Sequence, residues 1–172
     1  MNVLHKKRIL IVSNRLPVTI RYREGIPEVT PSSGGLVSGL LLLHDEYETL
    51  WIGWPGFVAK NDRQAISEIL TGPYNFHPVF MSEQVSDRYY EGFSNRTLWP
   101  IFHSLPSNAK YSSVEWEAYK KANELFSRKV LEFYRSGDTI WIHDYHLLLV
   151  SRYLREHLPD AAMGFFLHIP FP

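Results

Sequence analysis

One stretch limits the folds open to this chain more than any other: Thr139-Ile140-Trp141-Ile142-His143-Asp144-Tyr145-His146-Leu147-Leu148. A short β-favouring apolar run gives way abruptly to His-Asp-Tyr-His, and then to helix-like spacing through Leu147, Val150, Tyr153 and Leu154. Strand, polar turn and helix make the front half of a βαβ unit. Pro159-Asp160 breaks the helix, and Met163-Gly164-Phe165-Phe166-Leu167 supplies the return strand, closed by His168-Ile169-Pro170. Two strands that each end in His or Asp put those side chains where open parallel sheets take their ligands, beyond the carboxyl ends.

The rest of the chain fits the same plan. Ile9-Leu10-Ile11-Val12 is too uniformly apolar for an alternating strand and reads as a buried parallel one, ending in Ser13-Asn14-Arg15-Leu16-Pro17. Thr19 to Thr30 alternates loosely about Glu24-Gly25 and predicts a hairpin excursion. Ser32-Ser33-Gly34-Gly35 then leads into the apolar stretch Leu36 to Leu43, a turn entering a helix with Ser33 or Gly34 as N-cap. Leu50 to Gly56 reads as a second strand, Asp62 to Leu70 as a short helix and Tyr74 to Phe80 as a third strand. Ser82 to Phe93 reads as helix, and Asn95 to His103 as an aromatic-rich loop or short helix. Ser112-Ser113-Val114-Glu115 is a capping box opening the clearest helix, which Gly137 is expected to stop. Strands alternating with helices predict a doubly wound α/β domain.

Length and composition exclude more than they select. The chain has 172 residues, about one domain. Its 18 Lys and Arg balance 18 Asp and Glu, so nothing asks for nucleic acid or an anionic membrane. With no Cys there is no disulfide, thiolate nucleophile or Cys-based zinc site, which points weakly to the cytoplasm. The apolar run after Lys6-Lys7-Arg8 is too short for a signal segment, and no stretch reaches the ~20 apolar residues of a membrane span. The chain stops at Pro172, directly after a strand that belongs inside a sheet, which suggests a piece of something longer.

Each candidate site residue carries a bland reading beside its functional ones. Arg15, at a strand end, is either a phosphate grip, since guanidinium binds phosphate bidentately, or a surface residue capping a loop. Gly34-Gly35 before a helix is either a cradle for a phosphate or only a turn. His143-Asp144-Tyr145-His146 suits a metal cluster, an acid/base site, a set of sugar ligands or a satisfied polar turn. His143, His146, His168 and His103 lack the ligand spacing of a metal motif. His168, held by the prolines that follow, is a positioned hydrogen-bond donor or a core histidine. Tyr89, Tyr90, Trp51, Trp54 and Trp99 are sugar platforms or core, with core the better account for most.

Six motifs taken together carry a resemblance. Ser13-Asn14-Arg15-Leu16-Pro17-Val18, Ser33 to Leu40, Trp51 to Gly56, Tyr89 to His103, Trp141 to Leu148 and Gly164 to Pro172 follow one another as in the trehalose-6-phosphate synthases. The chain resembles the N-terminal part of those retaining glycosyltransferases of GT-B architecture. The fold implied is a Rossmann-like parallel sheet flanked by helices. Residues 1–172 would be the acceptor-side domain, incomplete, with the donor-nucleotide domain absent from the chain. The loop between Arg15 and Gly34 is the long form, more like eukaryotic members, and Ser104 departs from the Tyr expected after Phe102-His103.

The resemblance implies transfer of glucose from UDP-glucose to glucose 6-phosphate, without a metal or other cofactor. Arg15 would grip the acceptor phosphate, with Tyr90, Trp99 and Trp54 lining the acceptor pocket. Asp144 would hold acceptor hydroxyls at the reacting centre, Gly34 and Gly35 would face the donor diphosphate and sugar, and His168 would contact a donor hydroxyl. Asp144 and His168 are thus the expected catalytic pair. The chain's own C-terminal domain is the implied protein partner, and the resemblance leaves room for a homo-oligomer. A front-face route is implied, in which the leaving phosphate takes the acceptor proton and the protein positions and stabilises charge. Glycoside hydrolysis needs two flanking carboxylates, and only Asp144 is an obvious one. The rivals are a transferase with another phosphorylated acceptor, a non-catalytic sensor of sugar phosphates, and a metal hydrolase.

Overall fold

The computed structural model describes residues 6–24, 26–32, 46–57 and 62–172. In chain order it contains β1 (Arg8–Arg15), a hairpin of β2 (Val18–Arg23) and β3 (Ile26–Pro31), β4 (Glu48–Trp54), α1 (Arg63–Tyr74) and β5 (Phe76–Pro78). There follow α2 (Glu83–Asp87), a π-helical segment (Arg88–Leu98), α3 (Trp99–Phe102) and a 3-10 turn (Pro106–Asn108). Last come α4 (Ser113–Phe133), β6 (Thr139–His143), a second 3-10 turn (Tyr145–Leu147), α5 (Val150–Arg155) and β7 (Ala162–Phe166).

Five strands form one parallel sheet in the order β5-β4-β1-β6-β7. The chain moves outward from β1 to β4 and β5, then crosses back to lay β6 on the other side of β1. The order therefore reverses between β1 and β6, and a crevice at their carboxyl ends is where such sheets bind ligands.

Successive side chains of a strand face opposite ways, and both faces of this sheet are covered. Leu10, Val12, Leu50, Ile52, Ile140 and Ile142 pack with Tyr119, Phe126 and Val130 of α4 and Val150 and Leu154 of α5. Ile11, Trp51 and Phe76 pack on the other face with Ile66 and Leu70 of α1 and Val18 of the hairpin. Double burial is why β1 and β6 lack alternation.

At the amino-terminal rim, Arg8 donates through Nε and Nη2 to the two carboxylate oxygens of Asp138 at 2.9 and 2.6 Å. Both side chains are almost fully buried. Arg8 also donates to the carbonyl of Phe133 and so satisfies the end of α4. That helix therefore closes at Tyr134, before the expected stop at Gly137, which instead turns the chain into β6 with φ 94°. Half of the capping box forms: the Glu115 N–H donates to Ser112 Oγ at 3.4 Å, while the Glu115 carboxylate pairs with Arg96 at 3.1 Å.

Other boundaries also moved. α1 runs four residues beyond Leu70, because Asn75 closes it in the left-handed conformation at φ 54° and donates to the carbonyls of Leu70 and Thr71. The third strand accordingly shrinks to Phe76–Pro78. The expected helix from Ser82 and loop from Asn95 are one helical run whose middle is wound as a π-helix. The helix after His146 is split into a 3-10 turn and α5. The hairpin forms as expected, with Val18 opposite Pro31 and Arg23 opposite Ile26. The helix expected after Ser33, and its N-cap, lie outside the described residues.

Candidate active site

β1 is regular against β4 as far as Ser13, opposite Gly53, and its next pairing is Arg15 with Trp54. Asn14 is the extra residue of a bulge, a device that re-aims the side chains beside it. The bulge needs Gly53, where a Cβ would come within 2.8 Å of the Leu16 nitrogen. Asn14 is tied down by the Tyr89 hydroxyl, which donates to its Oδ1 at 2.9 Å. Arg15 is thereby turned to lie with its guanidinium 4.9 Å from the Trp54 ring centre, and its Nη1 donates to the Gly56 carbonyl at 3.4 Å. Trp54 is 7% exposed and donates its indole N–H to the Phe57 carbonyl, so as placed it backs Arg15. Desolvation lowers the Arg15 pKa, partly offset by the phenol of Tyr90. The group keeps its charge, and no ion pair to it forms among the described residues.

From Trp54 the contacts continue without a break. The Tyr90 ring, on the π-helical segment, lies 5.9 Å from that of Trp54 and stacks on His146 at 5.6 Å with 13° between planes. His146 also stacks on Tyr145 at 4.0 Å, and its Nδ1 lies 3.7 Å from Asp144 Oδ2. It is buried, and neither ring nitrogen has a hydrogen-bond partner among the described residues. Burial holds its pKa down at about 4, against the pull of Asp144.

Asp144 follows β6 with φ 74° and ψ 165°, a region almost reserved for glycine. Neighbours hold it there. Its N–H donates to the Phe166 carbonyl at 2.8 Å, and its carbonyl accepts from Leu147 N–H at 3.1 Å. Its Oδ1 accepts the N–H groups of Tyr145 at 3.0 Å and His168 at 3.4 Å. Behind it, the buried Asn123 of α4 donates to the His146 carbonyl at 3.1 Å and accepts from Leu149 N–H at 3.1 Å. Tyr119 donates to the Tyr145 carbonyl at 2.7 Å and accepts from Leu148 N–H at 3.1 Å. A backbone so over-determined can keep a strained carboxylate at a strand tip. His168 is exposed, and its Nε2 lies 3.0 Å from Nδ1 of the buried His143.

Arg15, Trp54, Tyr90 and, through His146, Asp144 are thus linked by one row of neighbouring side chains along the carboxyl edge, beside the β1–β6 switch, and His168 joins them through its backbone N–H on Asp144. Trp99 stands outside that row. It is 41% exposed and stacks on His103 at 4.0 Å, while Phe102 of α3 lies 6.2 Å from Tyr145. Gly34 and Gly35 lie outside the described residues. Among the described residues no group of three or more His, Asp or Glu side chains is arranged to hold a metal ion. The sequence offered His146 as part of the His143–His146 cluster and Asn14 beside Arg15, but not the packing and bulge roles they take here; Tyr119 and Asn123 of α4 carried no site signal in the sequence.

Known proteins resemble this chain in sequence and fold. The chain is 46% identical, over 98% of its length, to an alpha,alpha-trehalose-phosphate synthase [UDP-forming] of Aspergillus niger, of which it covers 34%. It is similar, at 34% identity and a TM-score of 0.77, to the solved structure "Trehalose-6-phosphate from E. coli bound with UDP-2-fluoro glucose"; 96% of this chain matches 34% of that one. A Burkholderia xenovorans alpha,alpha-trehalose-phosphate synthase (UDP-forming) solved in complex with glucose-6-phosphate matches at 33% identity and a TM-score of 0.73, over 96% of this chain and 34% of that one. The chain spans about a third of the length of these relatives. The fold is that of the N-terminal part of GT-B trehalose-phosphate synthases. The model of Glycosyltransferase family 20 matches residues 7–172, which takes in every strand of the sheet and the whole row from Arg15 to His168, and the chain belongs to that family.

Proposed function

We propose that this chain is the acceptor-side portion of a retaining glycosyltransferase that moves glucose from UDP-glucose to glucose 6-phosphate, forming trehalose 6-phosphate and UDP. One observation carries the reading: at one end of the row a cation with no ion pair among the described residues, Arg15, and at the other a carboxylate on a strained backbone beside an imidazole, Asp144. A sugar phosphate has the matching polarity, an anion at one end and hydroxyls along the rest. Arg15, backed by Trp54, takes the phosphate by paired hydrogen bonds, and Tyr90 lines the pocket between the two ends. Asp144 accepts from acceptor hydroxyls, and His168 contacts a hydroxyl of the donor glucose. Trp99 forms an outer wall, and Gly34 and Gly35 approach the donor diphosphate.

With a single carboxylate in the row, this chain's part in catalysis is positioning and charge stabilisation, with the leaving phosphate accepting the proton. Groups that neutralise the leaving diphosphate belong to a donor-nucleotide domain of the full-length protein. The test is a competition assay of the full-length protein with UDP-glucose and a panel of phosphorylated acceptors. Preference for glucose 6-phosphate is expected. Preference for a glycerol or cyclitol phosphate would replace the acceptor, and binding without turnover would replace the enzyme with a sensor.

A further inference from the structure

His143 has no role in the proposed function, yet its ring is hydrogen-bonded to that of His168. Its Nδ1 lies 3.0 Å from Nε2 of His168. The ring centroids are 5.3 Å apart with 21° between planes. That separation is close to the N···N distance plus one ring radius at each end. The rings therefore meet edge to edge, joined by a hydrogen bond lying in the plane of both. His143 is 1% exposed and sits against the Trp141 ring at 4.7 Å. Burial, and then the nearness of His168, lower its pKa to about 4, so it is neutral at physiological pH.

A neutral imidazole has one N–H and one bare nitrogen. A single proton lies between the two rings, and its owner decides what each ring presents on its other side. If His168 were the donor, His143 would carry its own proton on Nε2, which is buried without a partner among the described residues. Buried N–H groups without a partner are rarer in folded proteins than buried acceptors without one, so the bare nitrogen is the favoured form of His143 Nε2. The proton therefore belongs to His143 Nδ1, and His168 accepts at Nε2.

We propose that His143 is a positioning residue that locks His168 in the tautomer protonated on Nδ1, so that the free edge of His168 donates a hydrogen bond to a sugar hydroxyl and accepts none. This rests on His168 as a contact of the donor glucose. The backbone agrees with a fixed ring: the His168 N–H donates to Asp144 Oδ1, so residues 143 and 144 of one strand tip hold both parts of His168.

Long-range 1H–15N correlation spectra of the full-length protein, labelled with 15N-histidine, read the tautomer directly. Wild type is expected to show His168 protonated on Nδ1 and bare on Nε2. His143→Leu should return it to a mixture rich in the Nε2–H form, and His143→Asn, whose amide can still donate, should restore the lock. In kinetics His143→Leu should lower kcat roughly tenfold, as removal of an orienting partner does, and His143→Asn should recover most of it. Adding His143→Leu to His168→Ala should cost nothing further. A wild-type proton on His168 Nε2, or losses that multiply in the double variant, would overturn the proposal. An inert His168→Ala would remove the donor-sugar reading alone, while the spectra would still decide the lock.

Discussion

The guanidinium carbon of Arg15 lies 4.9 Å from the centre of the Trp54 ring, over a side chain that is itself buried. An indole face attracts a cation without neutralising it, and desolvation already lowers the Arg15 pKa. The arrangement favours an arriving anion. In the full-length protein Arg15→Ala is expected to raise KM for glucose 6-phosphate by about a hundredfold, the weight of a charged hydrogen bond, and to change KM for UDP-glucose less than threefold. Arg15→Lys should recover only part, because a point charge cannot reproduce the fork. Equal losses for both substrates in steady-state assays would contradict the assignment.

Asp144 offers a stability test that separates strain from hydrogen bonding. Asp144→Ala and Asp144→Gly lose the same two side-chain acceptor bonds. Only Gly relieves the φ of 74°. Gly is expected to be the more stable of the two by about 1–3 kcal/mol in urea unfolding, reversing the usual order. Both should lack transferase activity. An Ala variant as stable as the Gly variant would mean that the backbone is unstrained.

The opposite rim should behave as structure alone. Arg8 and Asp138 are buried, and Asp138 also accepts the Arg135 N–H at 2.7 Å. Asp138→Ala leaves a buried cation unpaired and is expected to cost about 3–5 kcal/mol by chemical denaturation. The fraction still folded should keep wild-type KM for both substrates. A selective rise in one KM would show that the two rims communicate.

Acid should weaken the fold earlier than its carboxylates require. His77, like His143 and His146, is buried, and its pKa is lowered to about 4, chiefly by burial. An unfolded histidine titrates near 6.5. Between those values the unfolded chain binds more protons, so stability falls as pH drops from about 6.5 and the loss from these groups levels off near 4. Each imidazole contributes on the order of 3 kcal/mol across that window. Urea midpoints measured from pH 7 to 4 should decline throughout. His77→Phe, which keeps a ring against Phe133, should flatten the decline without touching KM.

What the sequence disclosed was whatever neighbouring residues decide among themselves. Ile9 to Val12 and Thr139 to Ile142 announced buried strands, Ser112 announced a helix start, and Asp144 stood out at a strand tip. The exact end of α4 was hidden because Arg8, more than a hundred residues away, satisfies its last carbonyl. The π-helical winding of Arg88–Leu98 was hidden too, since a search for 3.6-residue spacing cannot register a wider turn. The packing role of His146 emerged only when Tyr90 arrived from the π-helical segment to stack on it. The bulge at Asn14 depends on a tyrosine hydroxyl 75 positions later in the chain. The roles assigned to Gly34 and Gly35 remain those of the resemblance.

The buried Arg8–Asp138 pair has a consequence for how such a domain can change. It fastens β1 to β6 at the end remote from Arg15 and Asp144, so holding the sheet together and the proposed grip on a sugar fall on different residues. Substitutions along the carboxyl edge can therefore alter what is gripped while leaving the scaffold's fastening intact, and descendants could acquire new acceptors without first having to become more robust.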